Sequence, residues 1–574
     1  MRTSLAVLFA VVAVGYSMYG GLFVVSTQLA HSLGDDAGAA GKNDFVDAPG
    51  VSEGLTGPFE FSAVDAGLDY SFVSDASGDM AKITDAGVYA GDYDRDGWTD
   101  LLAVGGDQPV LFENNEGTFR RSGALPTVER DLWGATWVDY NVDSAPDIVL
   151  LAEDAPPLLL ENVDGRFERR EAFEQPLDVG FGATVADYNR DGCPDLFAYQ
   201  YGNWTERAPR GIVNYSVPVN GDNGNPDVLY RGTCSGFESV DDAGLKGARW
   251  TLAASFVDFN DDGYPDIHQA NDINNDVLYL NQRDGTFKQI ALAERTNRNA
   301  MSSEIADITR DGRLDVFVTN IYYPEWAARK IKPEVQQKAR GNNLLSNHGD
   351  GLFVQRGEQY GINTGGWGWA AAIADLDNDG DQDLFHSTRH MTFERRDLTF
   401  SRTEQKRLSS RSFYSYPAVW ERQNLTAFRR VSPNQSGFRP ANGRGVASLD
   451  YDRDGDLDLV VATTGEYQVY ENRIESGRAL QVRVLGPNGS QSRAYGATVW
   501  VNSTETSQHR RVQSRTDFLS QDARVLHFGV GNASRVDVRV RWPDGSERVF
   551  EGVTPDRRLV VTPAGIERRG EFSR

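Results

Sequence analysis

The fold is decided by one nine-residue stretch, Asp375-Leu376-Asp377-Asn378-Asp379-Gly380-Asp381-Gln382-Asp383. Carboxylates stand at positions 1, 3, 5 and 9, and glycine stands at position 6. Alternate side chains of an extended segment point the same way, so the first three carboxylates converge before the chain turns. Glycine adopts the sharp turn that follows more readily than other residues. Because Ca²⁺ prefers such converging oxygen ligands, the stretch predicts a calcium-binding loop.

This loop is predicted to join two strands. An EF-hand would need glutamate at position 12 and flanking helices, whereas position 12 is His386. The flanking segments 371–374 and 384–385 are apolar runs, short enough for buried strands. The loop is therefore not an EF-hand.

The loop occurs seven times along the chain. The copies begin at Asp92, Asp139, Asp187, Asp258, Asp307, Asp375 and Asp450. Successive copies are 47, 48, 71, 49, 68 and 75 residues apart. The short intervals match a four-stranded propeller blade, for which about 40–50 residues are expected, and the long intervals indicate insertions.

A second repeated element, a strand containing Gly-x-Phe or a close variant, follows six of the loops. Its aromatic residues are Phe119, Phe167, Phe237, Phe287, Phe353 and Phe428. The seventh copy precedes the first loop, since residues 57–68 match residues 236–245 almost throughout. An N-terminal strand that completes the last blade would close the ring and remove its free edges. The sequence thus predicts an all-β protein whose body is a seven-bladed β-propeller closed by an N-terminal strand.

The loops and their aromatic tails resemble the FG-GAP/VCBS repeats of integrin-type propellers, over residues 56–473. In that family the side chains at positions 1, 3, 5 and 9 and the carbonyl at position 7 bind Ca²⁺. The resemblance implies up to seven Ca²⁺ sites with these side-chain ligands: Asp92, Asp94, Asp96 and Asp100; Asp139, Asn141, Asp143 and Asp147; Asp187, Asn189, Asp191 and Asp195; Asp258, Asn260, Asp262 and Asp266; Asp307, Thr309, Asp311 and Asp315; Asp375, Asp377, Asp379 and Asp383; Asp450, Asp452, Asp454 and Asp458. The loop at Asp139 is the weakest match, because Ser144 replaces its glycine.

Residues 474–564 leave the repeat and resemble the ASPIC/UnbV domain of proteins similar to cartilage acidic protein. The matching pieces read YGATV at 495–499, SQDARVLHFG at 520–529 and VRWPDG at 540–545. Alternation of apolar and polar residues at 536–542 predicts a strand, and the following Pro-Asp-Gly predicts a turn. We expect a small all-β domain here and a C-terminal tail at 565–574.

The N-terminus predicts export. Residues 5–25 form an uncharged apolar run. The run is long enough to span a bilayer, which takes about 20 residues per crossing. The charge flanking this run favours a cytoplasmic N-terminus with the body outside. We interpret residues 1–30 as a signal anchor with a transmembrane helix and 31–55 as a flexible linker, so the protein would sit in the cell membrane. The alternative is a secreted protein made by cleavage of a signal peptide.

Composition limits the class of partner. The formal net charge is −25, from 83 acidic and 58 basic residues, and the seven loops alone contain 27 aspartates. An acidic chain of this kind argues against nucleic-acid binding, which needs a basic face. The two cysteines, Cys193 and Cys234, could form one bridge or remain free thiols.

The insertion at 387–423 is the candidate binding segment. It contains seven Arg and one Lys against four acidic residues, together with several aromatic residues. We expect the ligand-binding residues Arg395, Arg396, Tyr414, Tyr416 and Trp420 to contact an extracellular protein or a glycan. The alternative is a packed cap whose arginines pair with neighbouring acids.

Catalysis is the competing class of function. The seven histidines form no H-x-H or H-E-x-x-H pattern, and no G-x-S-x-G motif or phosphate-binding loop is evident. His386 and His390 follow the sixth loop and could line one face of the ring. A single histidine in a strand is more often a structural residue than a catalytic one. An adhesion or ligand-binding module is therefore favoured, and an exported enzyme or accessory subunit that acts on a polysaccharide is the alternative.

Overall fold

The structure is a computed structural model that describes residues 59–70, 86–105, 108–130, 132–202, 224–272, 274–290, 292, 299–322, 340–388, 416–504 and 506–572. Within these ranges nearly all regular structure is β, which confirms the predicted all-β class. The exceptions are one short helix, Pro433–Ser436, and the 3-10 turns Pro487–Gly489 and Ser492–Ala494. No helix in the described ranges is long and apolar enough to cross a membrane. The predicted anchor at 1–30 and the linker at 31–55 lie outside those ranges.

Antiparallel strands between residues 61 and 472 form groups of four. Group 1 contains β2 (Gly87–Gly91), β3 (Asp100–Val104), β4 (Val110–Asn115) and β5 (Thr118–Arg121). Group 2 contains β6 (Leu132–Val138), β7 (Asp147–Ala155), β8 (Leu158–Val163) and β9 (Arg166–Arg170). Group 3 contains β10 (Leu177–Ala186), β11 (Asp195–Gln200), β13 (Val228–Gly232) and β14 (Phe237–Ser239), and β10 also pairs with β7.

The next groups repeat this order along the chain. Group 4 contains β15 (Ala248–Val257), β16 (Asp266–Asp272), β17 (Val277–Asn281) and β18 (Phe287–Ile290), with the two-residue β12 (Asn225–Pro226) added at its edge. Group 5 contains β19 (Glu304–Ala306), β20 (Asp315–Val318), β21 (Asn343–Asn347) and β22 (Phe353–Gln355). Group 6 contains β23 (Gly368–Ala374), β24 (Asp383–Thr388), β25 (Ala418–Asn424) and β26 (Ala427–Arg430).

Group 7 is completed by the first strand of the chain. It contains β27 (Gly443–Leu449), β28 (Asp458–Thr463), β29 (Tyr467–Asn472) and β1 (Phe61–Val64). The pairing of β1 with β29 runs from Phe61 opposite Asn472 to Val64 opposite Val469. The ring of Phe61 packs 4.8 Å from that of Phe438. The N-terminal strand thus lies where the sequence places it.

The first strands of the groups contact one another in a cyclic order. β2 contacts β6, β6 contacts β10, and the series continues through β15, β19, β23 and β27. β27 then contacts β2 again. Most residues of these strands are buried, because each strand has a neighbouring group on either side.

The C-terminal domain consists of two four-stranded sheets. One sheet contains β30 (Arg478–Val484), β35 (Leu526–Gly531), β38 (Arg557–Thr562) and β39 (Gly565–Glu571). The other contains β31 (Thr498–Asn502), β32 (Ser507–Arg511), β36 (Val536–Arg541) and β37 (Glu547–Val553). The predicted tail at 565–574 is therefore wrong for most of its length, since β39 pairs along β38. Only Ile566 in β39 is a large apolar residue, so this edge strand has no hydrophobic alternation that sequence could detect.

A hairpin of the C-terminal domain enters the centre of the cyclic array. Its strands are β33 (Thr516–Asp517) and β34 (Ser520–Gln521), and β34 pairs in parallel with β2. The two carboxylate oxygens of Asp517 accept the backbone N–H groups of Ser303 and Ala371, at 2.8 and 2.7 Å. The ring of Phe518 packs 4.7 Å from that of Trp369. The C-terminal domain is thus built into the array.

The closing role of β1 can be tested by truncation. A chain that begins at residue 75 lacks β1 and leaves the edge of β29 unpaired, which exposes backbone N–H and C=O groups. We expect this chain to aggregate or to melt without cooperativity, whereas a chain that begins at residue 50 folds. Melting followed by circular dichroism, together with size-exclusion chromatography, distinguishes the two. If both chains melt alike, β1 does not close the array.

Candidate metal sites

Each predicted metal loop connects the first and second strands of a group, and all seven have the same backbone form. Position 6 has a positive φ in every copy, from 79° at Ser144 to 101° at Gly455. Position 4 also has a positive φ in every copy, although it is never glycine. The left-handed turn at position 6 was predicted from the sequence, and the one at position 4 was not. Arginine or valine occupies position 4 in five copies and gives no signal of it, and only Asp261 and Asn378 are residue types that favour a positive φ.

The position 9 aspartates are buried and hold the frame of each group. One oxygen of Asp147 accepts the N–H of Tyr140, and the other accepts the N–H of Asn162, at 3.1 and 2.8 Å. Equivalent pairs of bonds occur in all seven groups, from a loop amide and a third-strand amide. The seven carboxylates are Asp100, Asp147, Asp195, Asp266, Asp315, Asp383 and Asp458. The sequence pattern predicts these residues only as metal ligands, and their structural role is visible only in the fold.

Carboxylate oxygens converge in the three loops that have aspartate at all four positions. In the loops at Asp92 and Asp375, one oxygen from each of positions 1, 3 and 5 lies within 4.8 Å of the others. In the loop at Asp450 the same holds for Asp450, Asp452 and Asp458. Over the described residues, no other histidine, cysteine or acidic side chains cluster in this way.

Two buried oxygens in these clusters fit a cation. Asp375 is 1% exposed and Asp450 is 4% exposed. In each, one carboxylate oxygen accepts protein hydrogen bonds, while Oδ1 is buried without a partner. Burial raises the pKa of Asp375 well above its usual range, and burial also raises the pKa of Asp377 to about 7. A divalent cation would satisfy such oxygens and offset the cost of burying several negative charges together.

The remaining loops offer weaker ligand sets. The loops at Asp187 and Asp258 have an asparagine at position 3, whose oxygen accepts the N–H of the position 5 aspartate. The loop at Asp307 has Thr309 there. In the loop at Asp139, Oδ2 of Asp139 accepts a hydrogen bond from Ser490, and Oδ1 accepts the N–H of Ser144. Because Asn141 stands at position 3 and Ser144 replaces the glycine at position 6, this loop offers the weakest ligand set of the seven.

The C-terminal domain contacts all seven metal loops. Arg483 forms an ion pair with Asp92, Gln481 donates to Asp450 at 2.7 Å, and the N–H of Gly529 donates to Asp375 at 2.9 Å. The other four loops are contacted through Ser490 with Asp139, Arg190 with the Pro543 carbonyl, Arg511 with the Asp258 carbonyl, and His509 with Asp307. The C-terminal domain thus contacts the residue at position 1 or position 4 of every loop. The sequence, which assigns the repeat and this domain separately, did not predict these contacts.

Family comparisons agree with this architecture. A model of the FG-GAP-like repeat matches residues 92–150, 139–198, 258–318 and 335–386, and a model described as ASPIC and UnbV matches residues 487–568. The chain is an FG-GAP-like repeat protein with an ASPIC and UnbV domain. Below, residues 474–572 are called the ASPIC and UnbV domain.

The chain is similar to cartilage acidic protein 1. It is 24% identical to the Xenopus tropicalis protein over 289 residues and 22% identical to the Homo sapiens protein over 288 residues. Each match covers 49% of this chain, but only 40% and 39% of those two relatives. The matched part therefore spans less than half the length of these relatives.

Solved structures match this chain at low similarity. An Agrocybe aegerita lectin that recognises non-reducing terminal N-acetylglucosamine matches with a TM-score of 0.40 and 14% identity, covering 67% of this chain and 93% of the lectin. The WD40 domain of Toxoplasma gondii coronin matches with a TM-score of 0.40 and 11% identity, covering 73% of this chain and 87% of that domain.

The other predicted site residues are distributed between the core and the undescribed insertion. Trp420 is fully buried in β25, with its ring 5.1 Å from that of His386, so it packs in the core and offers no surface to a partner. Tyr416 is half-buried, and its carbonyl accepts a hydrogen bond from Thr388 at 2.7 Å. Arg395, Arg396 and Tyr414 lie outside the described residues.

His386 has the character of a core residue. It is fully buried, and burial lowers its pKa to about 3, so the ring is neutral at ordinary pH. Its Nδ1 lies 2.9 Å from the Ser387 carbonyl. His390 lies outside the described residues.

Metal content should distinguish a loop with converging carboxylates from the loop with the weakest ligand set. Asp379→Ala removes an exposed position 5 ligand from the cluster at Asp375, and Asp143→Ala removes the equivalent exposed residue from the loop at Asp139. We expect Asp379→Ala to lose about one bound Ca²⁺ per chain and to melt at a lower temperature in Ca²⁺, because the cation stabilises only the folded loop. Asp143→Ala serves as the matched control and should keep its metal content.

The measurements are calcium content after gel filtration and melting with or without EDTA. Excess EDTA should lower the melting temperature of the unsubstituted protein, and Ca²⁺ should restore it more than Mg²⁺. An unchanged melting curve in EDTA would rule out structural calcium. Equal calcium loss in both variants would contradict the assignment of the sites.

The metal-free loops should make stability depend on pH. Burial raises the pKa of both Asp450 and Asp452 to about 6, from an ordinary value of 3.8. Between these values the folded state binds protons that the unfolded chain has released, so this stabilisation is lost as pH rises through about 6. In EDTA we therefore expect the melting temperature to fall as the pH rises from about 4 to about 6 and then to level off, and Ca²⁺ should reduce that fall. A flat or rising profile in EDTA would contradict the prediction.

Proposed function

We propose that this protein is an exported, membrane-anchored, calcium-binding β-propeller of seven blades that binds an anionic glycan at the cell surface. The cyclic contacts of the first strands, together with the β1–β29 pairing, support seven blades and a closed ring. The unpartnered buried oxygens of Asp375 and Asp450 support calcium. The uncharged run at 5–25 and the similarity to cartilage acidic protein 1 support export.

The proposal depends on one observation: the ASPIC and UnbV domain covers one face of the ring. The ASPIC and UnbV domain contacts every metal loop, so the face on which these loops lie is covered. The second strand of each group starts at a metal loop and ends at the opposite face. In group 6 that strand runs from Asp383 to Thr388, and the arginine-rich insertion follows directly.

The chain enters the long insertions of groups 3, 5 and 6 from strand ends at this opposite face. They occupy residues 201–227, 319–342 and 389–417, after the second strand in each case. Segment 389–415 contains six arginines and one lysine against three acidic residues. Guanidinium groups bind sulfate or carboxylate through paired hydrogen bonds, and a rigid ring holds such loops at low conformational cost. Arg395, Arg396 and Tyr414 are the proposed contacts, and Tyr416 lies at the base of the insertion.

Replacement of the insertion tests this function. Thr388 is hydrogen-bonded to Tyr416, so the two ends lie together and a short Gly-Ser linker can replace residues 391–413. We expect this variant to lose binding to heparin, the probe for a sulfated glycan, while its calcium-dependent melting is retained. Neutral dextran controls for binding that does not depend on charge.

The neighbouring insertion offers a matched control. Tyr322 pairs with Arg340, so residues 325–337 can be replaced in the same way. This insertion also contains basic residues, and its removal should leave heparin binding intact. Heparin binding that survives loss of 391–413 would overturn the proposal. If that variant fails to fold, Arg395→Ala with Arg396→Ala gives the same test without a deletion.

A further inference from the structure

A cavity of about 730 Å³ lies between the ASPIC and UnbV domain and the metal loops of groups 3 and 4. The ring contributes segments 185–192 and 256–265, and the domain contributes segments 492–498, 511–513 and 541–545. Its volume is within the range of about 300–1,000 Å³ that small-molecule sites occupy, and such sites often form between domains. The cavity is separate from the arginine-rich insertion, which leaves the opposite face of the ring.

Two arginines at this cavity have unused donors. Arg493 and Arg541 are exposed, and within the described residues neither guanidinium forms a hydrogen bond or an ion pair. The guanidinium of Arg541 lies 5.1 Å from the ring of Trp500. The two other arginines in the lining are engaged, because Arg190 donates to the Pro543 carbonyl and Arg511 donates to Asp261. The free pair therefore provides forked donors for a planar anion such as carboxylate.

The same cavity offers an acceptor suited to hydroxyls. Asp544 is exposed, and the backbone N–H and the hydroxyl of Ser546 both donate to one of its carboxylate oxygens, Oδ1. The other carboxylate oxygen can therefore accept a hydrogen bond from a ligand hydroxyl.

Calcium would change the charge of this lining. It contains six aspartates and four arginines, which gives a formal charge of −2. Two of the metal loops, those beginning at Asp187 and Asp258, border the cavity. If both hold Ca²⁺, as the proposed function supposes, the formal charge becomes +2. An anionic ligand is then favoured only in the calcium-loaded protein.

We propose that this interdomain cavity binds an acidic sugar, with its carboxylate on Arg493 and Arg541 and a hydroxyl on Asp544. The carboxylate accounts for the two free guanidiniums. The hydroxyl donates to the exposed carboxylate of Asp544.

Calorimetric titration of the full calcium-loaded protein with digalacturonate tests this proposal, with neutral digalactose of the same linkage as the matched ligand. We expect digalacturonate to bind and digalactose to bind at least about tenfold more weakly, because only the acid uses the arginine pair. Arg493→Ala with Arg541→Ala should weaken digalacturonate binding about tenfold or more. Arg548→Ala, an exposed arginine of the same domain outside the cavity, should leave it unchanged.

Two further measurements separate this site from the proposed function. The variant lacking residues 391–413 should retain digalacturonate binding even though it loses heparin binding. Digalacturonate binding should weaken in EDTA under conditions where the protein remains folded. Absence of digalacturonate binding to the calcium-loaded protein would show that the cavity is only a solvent-filled gap between domains. Equal affinity for the neutral sugar, or an unchanged affinity in the double variant, would overturn the assignment of the arginines.

Discussion

The fold depends on one buried carboxylate that is repeated in every group. The aspartate at position 9 accepts one N–H from its own loop and one from the third strand, as Asp147 does from Tyr140 and Asn162. Burial raises the pKa of these side chains, to about 8 for Asp147 and about 9 for Asp100. Such a group is costly to bury unless its oxygens are satisfied, so each loop must adopt a shape that presents those amides. These hydrogen bonds fix the backbone of the loop and so position the carboxylates at positions 1, 3 and 5.

A second bond connects each group to the one before it. The side chain of Asn162 donates to the Tyr93 carbonyl in the preceding loop at 2.7 Å, and asparagines in groups 1, 4, 5 and 7 donate to equivalent carbonyls. Group 6 has Arg422 at this place, and its guanidinium reaches the Ile308 carbonyl instead. Group 3 has Gly232 there and carries the disulfide between Cys193 and Cys234 close by. The bridge thus braces the one group whose third strand offers no side chain for this bond.

The ASPIC and UnbV domain gives the two faces of the ring different roles. Its hairpin at 516–521 lies among the first strands, where Asp517 binds amides of groups 5 and 6 and Gln521 binds an amide of group 2. Around the hairpin, other residues of the domain contact the metal loops. The domain therefore contacts some of the same carboxylates that would hold calcium at the proposed sites. The domain makes these contacts on the face of the metal loops, and the second strands of the groups end at the opposite face.

The sequence alone determined the repeat, because a metal loop needs aspartates and a turn residue at set spacings, and such spacings are visible without coordinates. The same local chemistry identified the closing strand at 61–64, the three loops with four aspartates, and the weak loop at Asp139. Tertiary structure decided what depends on residues far apart in the chain. The second role of Asp100 and its equivalents, the burial of Trp420, the addition of β39 and the seating of the hairpin at 516–521 all follow from packing between distant segments. A side chain's local sequence does not specify which distant backbone group it meets, and only the folded ring brings those groups together.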